Sequence, residues 1–372
     1  MDDRESVKAD DRYSVEAVVT EEGLDDLEEA WNRLSASSDS PNVFATYGWF
    51  RAWLQRLMAD EGRERLQPYV LAIKREGAIV GIAPLVRRVV SRFGFRVRKL
   101  EFLTHHADYN DLVLGGDRVV LTAAVIRFLL RGADQWEFID LRDMHESLGG
   151  AGIIENSAAH AGLQYQRLHE EEPCPYLPIG RDLADATKKL SAHERSTLRR
   201  RKELAIQAGL RTRIIENPER ESGLLDKLIA VDRQKELHRV TPSFIAAYPE
   251  VFRALMDDLG TKGLLYVGLL ESGDRPVAFQ FGFRCGNKLW DYAKAYDRSF
   301  ARFAPGTLLL TAVLEFGVNQ GYSEYDFLRG EDTYKTVWST GNHRRVRYLI
   351  WNRSLMSRLG AFAYFKLHLG RR

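Results

Sequence analysis

The sequence predicts two tandem α/β units, each a mixed sheet flanked by helices, and three observations carry that expectation. The chain has 372 residues, more than the roughly 250–300 at which a single hydrophobic core stops growing. One order of elements (hairpin, strand, apolar helix, strand) can be traced twice. The last strand of each round also ends alike, Glu137-Phe-Ile-Asp-Leu-Arg142 against Glu324-Tyr-Asp-Phe-Leu-Arg329. Self-similarity of this kind reads as duplication of one unit.

The elements follow in order. Residues 1–12 are charged and poor in apolar side chains, and fraying is expected there. Tyr13 to Val19 alternates as a strand. Leu24, Leu27, Trp31 and Leu34 share one face of a helix, and Thr46 to Met58 forms a second helix rich in aromatic residues. Tyr69 to Ile73 and Ile79 to Val86, joined at Glu76-Gly77, read as a hairpin. Strands are expected near Lys99 to Leu103, Asp111 to Leu114 and Glu137 to Leu141, with a helix over Val119 to Leu130. The second round has strands at Leu264 to Glu271, Pro276 to Arg284 and Lys288 to Tyr296. A helix over Thr307 to Asn319 and a strand from Glu324 to Leu328 complete it. Between the rounds, a polar stretch leads into a helical segment, Leu183 to Ala208. The boundary is therefore placed near residue 180, giving domains 1–180 and 181–372. A closing helix, Leu355 to Leu369, is expected to cover the second core.

Composition narrows the class of function. With 54 basic against 52 acidic residues and a formal charge of +2, there is no global argument for nucleic acid or an anionic membrane. Cys174 and Cys285 are far apart in sequence, which supports neither a disulfide framework nor a thiolate metal site. No run reaches the ~18 apolar residues of a membrane span. The polar start Met1-Asp-Asp-Arg-Glu5 does not read as a secretory leader, so a cytoplasmic protein is expected.

Chemistry concentrates in two segments. The first is the loop Asp297-Arg-Ser-Phe-Ala-Arg-Phe-Ala-Pro-Gly-Thr307, which ends at a helix start. Helix N-termini bind phosphate through unpaired N–H groups and the positive dipole end. Arg302, Ala304, Gly306 and Thr307 are thus candidates for holding an anionic donor, with Arg298 beside them. The commoner use of Pro-Gly is simply to start a helix. The second segment is Tyr325-Asp-Phe-Leu-Arg-Gly-Glu-Asp-Thr-Tyr-Lys335. Asp326 is a candidate base, and Tyr334 and Lys335 are candidates for positioning the donor or protonating a leaving group. Asp297, Arg329 and Glu331, with Asp108 and Tyr109 of the first round, are candidates for contacting substrate. A plain Asp–Arg or Asp–Lys pair explains the same charges.

Other features are given structural readings. Arg195-Ser-Thr-Leu-Arg-Arg-Arg-Lys202, continuing to Arg211 and Arg213, is taken as a solvated helix face rather than a nucleic-acid site. His105-His106 is not expected to hold a metal, because adjacent histidines rarely converge on one ion. His238-Arg239 is a candidate cleft element that an exposed helix end explains equally well. No G-x-S-x-G, H-E-x-x-H or P-loop pattern stands where it would matter.

Tyr296-Asp297, Ala304-Pro-Gly306, the apolar helix and Tyr325 to Lys335 together resemble the acetyltransferase-like domain of the CelD-like (cellulose biosynthesis) family of the GNAT superfamily. The match runs from about Leu190 to Trp338. Phe44 to Trp53, Ile82-Ala-Pro-Leu85 and Ala107-Asp-Tyr-Asn-Asp111 extend it into the first half. The resemblance implies a pair of GNAT-like folds, similar to the Fem-type transferases. It implies an acyl-CoA such as acetyl-CoA as co-substrate, with its pyrophosphate at Gly306 and Thr307; from the residues themselves, no metal is expected. The acceptor would be a small molecule, saccharide or peptide, in exopolysaccharide production. The sequence departs from the R/Q-x-x-G-x-G/A signature, having Arg302-Phe-Ala-Pro-Gly-Thr307 instead. Charged tRNA as donor, and a non-catalytic binding module, remain the alternatives. Gly115-Gly116-Asp117 replaces Pro-Gly in the first round, so one active domain is expected.

Overall fold

The computed structural model describes residues 12–38, 41–92, 95–103, 106–146, 150–170, 172–234 and 243–352. The expected closing helix, residues 1–11, His105 and His238-Arg239 lie outside them.

The chain forms two compact units. One takes the residues up to 171 and those from 344 onward; the other is the continuous stretch 172–343. The first unit has two sheets. Strands β1 (Tyr13–Val18), β3 (Val70–Arg75), β4 (Ala78–Ala83) and β7 (Val113–Leu114) form one, in the order β1-β3-β4-β7. The other contains β2 (Leu66–Pro68), β5 (Leu85–Arg92), β6 (Phe95–Phe102), β8 (Phe138–His145), β9 (Gln164–His169) and β17 (Arg345–Trp351), in the order β2-β5-β6-β8-β17-β9. Helices α1 (Glu21–Asp25), α2 (Glu28–Ala36) and α3 (Tyr47–Glu61) precede them. Helices α4 (Arg118–Arg131) and α5 (Gly150–His160) supply apolar faces to a core with Leu100, Ile139 and Tyr348.

The second unit is built on one seven-stranded sheet. Its strands are β10 (Cys174–Pro178), β11 (Leu210–Ile215), β12 (Leu265–Ser272), β13 (Arg275–Cys285), β14 (Lys288–Tyr296), β15 (Glu324–Asp326) and β16 (Gly341–His343). Their order is β11-β12-β13-β14-β15-β10-β16. Its α-helices among the described residues are α6 (Leu183–Ala186), α7 (Ala192–Gln207), α8 (Leu224–Asp232), α9 (Pro249–Thr261), α10 (Pro305–Gln320) and α11 (Thr333–Trp338). The segment expected as one helix from Leu183 is two, because Ser191 and Glu194 form a reciprocal capping box that starts α7 afresh.

The duplication appears as matching topology. In each unit an antiparallel pair is followed by a strand, a crossover helix and a parallel partner: β6, α4, β8 and β14, α10, β15. The mixed sheets flanked by helices agree with the fold class the sequence predicts. The division of the chain runs differently from the boundary near 180. β10 belongs to the second sheet, where it lies between β15 and β16, and the strand after β16 returns to the first unit between β8 and β9. Two buried ion pairs fasten that strand, Arg347 to Asp140 (2.7 Å) and Arg345 to Asp143.

Candidate active site

The parallel pair β14–β15 is short, and that shapes the site. β15 pairs only with Lys288 to Trp290, while β14 continues to Tyr296 against β13 alone. Where β15 leaves, α10 begins, and a cavity of about 470 Å³ opens. Phe279, Ala295, Ala301, Pro305, Leu309 and Trp338 give it mostly apolar walls. Lys294, Gln280, Arg298, Thr307 and Tyr334 are its polar lining.

The start of α10 forms one wall. Ala304, its N-cap, is held in the left-handed region (φ 53°) and contributes no side-chain cap. Pro305 has no N–H to offer. Thr307 and Leu308 donate theirs to the Ala304 carbonyl, at 3.0 and 3.1 Å. The expected run of open amides therefore reduces to that of Gly306, and Thr307 offers the cavity its side chain instead. Gly306 needs no positive φ, and apart from its own helix backbone and chain neighbours no atom lies within 4 Å of where a Cβ would stand. Neither backbone nor packing asks for glycine there; its smallness keeps the cavity open.

Beneath the cavity lies a polar network that the sequence did not single out. The Asp291 carboxylate accepts from Lys294 Nζ at 2.6 Å and from the Tyr334 hydroxyl at 3.3 Å. Lys294 Nζ also sits 3.6 Å from the centre of the Tyr334 ring, within cation–π range. Gln280 Nε2 donates to the hydroxyls of Tyr266 (3.0 Å) and Tyr325 (2.6 Å). Burial lowers the Lys294 amine below the ordinary lysine range, and the opposing charge of Asp291 does not cancel that effect. Burial, then the Asp291 charge, pushes the Tyr334 phenol far above the tyrosine range. The cavity thus holds a lysine eased toward its neutral form beside a phenol that keeps its proton.

Tyr334, Ala304, Gly306 and Thr307 are the expected site residues brought together at this cavity; the others lie elsewhere. Asp326 alternates with Tyr325 along β15 and faces the opposite side of the sheet. Its Oδ1 accepts the Leu328 N–H at 2.8 Å, and its Oδ2 lies 3.9 Å from His343. That places it on the sheet face away from the cavity, whereas the sequence offered it as a candidate base. Lys335 points back to the loop after β15, where its ammonium donates to the carbonyls of Leu328 and Arg329. It thereby steadies Leu328 (φ 54°) and Gly330 (φ 128°). Asp297 caps the turn before α10, accepting from Ser299 N (3.0 Å) and Oγ (2.7 Å) and pairing with Arg275. Burial opposes ionisation there, but the Ser299 bonds and the Arg275 charge hold its carboxyl below the usual range. Arg302 is exposed, its guanidinium 4.6 Å from the Phe303 ring centre. Arg329 lies 3.5 Å from Glu172, and Glu331 is exposed. In the first unit Asp108 is buried, and the Tyr109 ring packs against His145 and Phe44 as core.

The corresponding helix start of the first unit is closed to anions by its own residue. Asp117 Oδ1 accepts from the amides of Val119 (2.9 Å) and Val120 (3.2 Å).

Comparison with known proteins agrees with this architecture. No curated protein matches the chain. The crystal structure of FemX is similar with a TM-score of 0.59 and 12% identity, over 90% of this chain and 98% of that one. A conserved protein of unknown function from Bacteroides thetaiotaomicron is similar with a TM-score of 0.58 and 11% identity, over 91% of this chain and 100% of that one. Residues 192–336, which contain the cavity and everything that lines it except Trp338, match the family model described as an acetyltransferase (GNAT) domain.

Proposed function

We propose that the second unit is a GNAT-type acyltransferase. It would move an acyl group from an acyl-CoA, acetyl-CoA being the first to try, onto an amine or hydroxyl acceptor. The observation that carries this reading is the apolar cavity at the splay of β14 and β15, with Lys294, Asp291 and Tyr334 gathered at its polar end. An acyl thioester suits apolar walls. The edge that β14 leaves unpaired toward β15 suits the amides of an extended donor arm. Gly306 would lie against the donor phosphates, with Arg298 at the rim.

The chemistry is direct attack in a ternary complex, helped by positioning. The acceptor nitrogen or oxygen bonds to the thioester carbonyl carbon, and the carbon–sulfur bond breaks. Lys294 in its neutral form takes the proton of the acceptor and passes to the ammonium form that Asp291 stabilises. Tyr334 keeps its proton and donates a hydrogen bond to the leaving thiolate, which takes its proton from the Lys294 ammonium and so returns the lysine to its neutral form. The capped helix start in the first unit supports a single donor site per chain. A place in exopolysaccharide production rests on the CelD-like resemblance alone.

A second reading, an aminoacyl-tRNA donor, is favoured by one finding: α10 keeps only the Gly306 amide for an anion. The exposed Arg199 and Arg200 of α7 would then meet RNA. Calorimetry with acetyl-CoA and with free coenzyme A separates the two. Saturable binding that Gly306→Glu abolishes, by filling the open space at that position with a charged side chain, supports the CoA donor. Absence of binding at near-millimolar ligand, together with tRNA binding that weakens steeply with salt, overturns it in favour of the second reading.

A further inference from the structure

We infer that the second unit carries a divalent-metal site of the zinc class, formed by Glu324, Asp326 and His343 on the sheet face opposite the cavity. The topology assembles it. Glu324 and Asp326 are two apart on β15 and so share a face. β10 lies between β15 and β16, and Tyr176 pairs with Asp326 on one side and Gly341 on the other. A Cβ at Gly341 would stand 2.7 Å from the Tyr176 ring, so glycine there lets that ring lie flat across the strands. His343, two residues on, stacks on it at 4.2 Å with a 15° tilt. The imidazole therefore reaches over β10 to both carboxylates.

The donor geometry suits a small cation. His343 Nε2 lies 2.9 Å from Glu324 Oε1 and 3.9 Å from Asp326 Oδ2, and one donor atom from each residue falls within 4.8 Å of the others. Zinc bonds to nitrogen and oxygen run about 2.0–2.2 Å, and three protein ligands plus water is an ordinary zinc arrangement. Ligand atoms of a tetrahedral set at those bond lengths stand about 3.3–3.6 Å apart, so the His343–Glu324 and His343–Asp326 separations bracket that spacing and the carboxylates draw in when an ion binds. Outer contacts are also in place. The Leu328 N–H holds Asp326 Oδ1, which turns Oδ2 toward the imidazole. Lys288 Nζ, 2.7 Å from Glu324 Oε1, steadies that carboxylate. Partners of this kind orient metal ligands. A bound ion would pin β16, the last strand of this unit, to β15 across β10.

The test uses the full chain, stripped with a chelator and titrated with Zn²⁺ against a chromophoric competitor. One equivalent bound with micromolar or tighter affinity is expected, with a melting temperature that rises with added zinc. His343→Ala and Asp326→Asn should each weaken binding at least tenfold and abolish the zinc-dependent rise. Glu324→Gln, which keeps the side chain's size, serves if either of those fails to fold. Zinc binding weaker than micromolar in the wild type, or binding unchanged in folded variants, overturns the proposal.

Discussion

At the residue scale, the proposed transfer turns on Lys294. Its side chain is about a third exposed, but its ammonium end is tucked between Asp291 and the Tyr334 ring. Burial lowers its proton affinity in the folded state. The neutral amine should accordingly be available at a pH below the ordinary lysine value of about 10.4. If it accepts the proton, the transfer rate climbs with pH through the lowered value and then levels. Lys294→Met should remove that limb and slow transfer roughly a hundredfold or more, the usual worth of general acid–base help, while calorimetric donor affinity stays within a few-fold. Tyr334→Phe should slow transfer comparably without moving the limb. A pH profile unchanged in Lys294→Met would remove lysine from the mechanism. Tyr334 could be read from the sequence because it stands in the run from Asp326 to Lys335, where ionisable and phenolic groups crowd together just after a strand. Lys294 could not, since a lysine on an alternating strand reads as solvated. The available signal was Asp291, a carboxylate inside an apolar strand that had to have a partner. Asp326 carried the same signal, and sequence could not tell which of the two faced the cavity.

At the element scale, the hydrogen-bonded floor depends on a close approach between strands β12 and β13. Tyr266 lies directly against Gly282, and a Cβ there would stand 2.3 Å from the Tyr266 ring and 2.5 Å from the Trp290 carbonyl. The ring can swing aside, but the backbone carbonyl is fixed by the sheet. Gly282→Ala should therefore destabilise by at least the roughly 1–3 kcal/mol of an overpacked core. It should also disturb the Gln280 bonds to Tyr266 and Tyr325, so that donor affinity falls along with stability. Thermal unfolding and calorimetry on the same sample check both, and a variant as stable as wild type would show that the sheet yields there. The hairpins, the crossover helices and their order were legible because each has its own periodicity. The end of β15 was not. Its pattern runs on to Leu328, but Leu328 turns left-handed and Lys335 holds its carbonyl from a different element, a tertiary effect that no local pattern reports.

At the scale of the whole molecule, the second unit is an insertion into a hairpin of the first. β9 and β17 pair antiparallel from His169↔Val346 to Gln164↔Trp351, as two arms of one hairpin would, and residues 172–343 lie between them in sequence. The Glu170 N–H donates to the Arg345 carbonyl at 3.0 Å, so the two cut ends are hydrogen-bonding neighbours. The inserted unit closes in the same way, its first and last strands pairing at Cys174↔His343. Sequence could not show this, because a strand reads alike whichever sheet it joins, and a boundary near 180 was the natural choice. The consequence is testable by rearranging the chain. Residues 1–171 alone lack the strand that pairs with both β8 and β9, and leave Asp140 buried without Arg347. Breaking such a buried pair costs roughly 3–5 kcal/mol, comparable to the whole stability of many domains, so this fragment should not unfold cooperatively. Excising 172–343 and bridging 171 to 344 with a few glycines restores strand and ion pair together, and closing so short a gap costs little entropy. That chain should show a sigmoidal thermal transition by circular dichroism, and 172–343 should show its own. Cooperative unfolding of 1–171 alone would mean that the returning strand is dispensable, and that the first unit is held by its α4–α5 core instead.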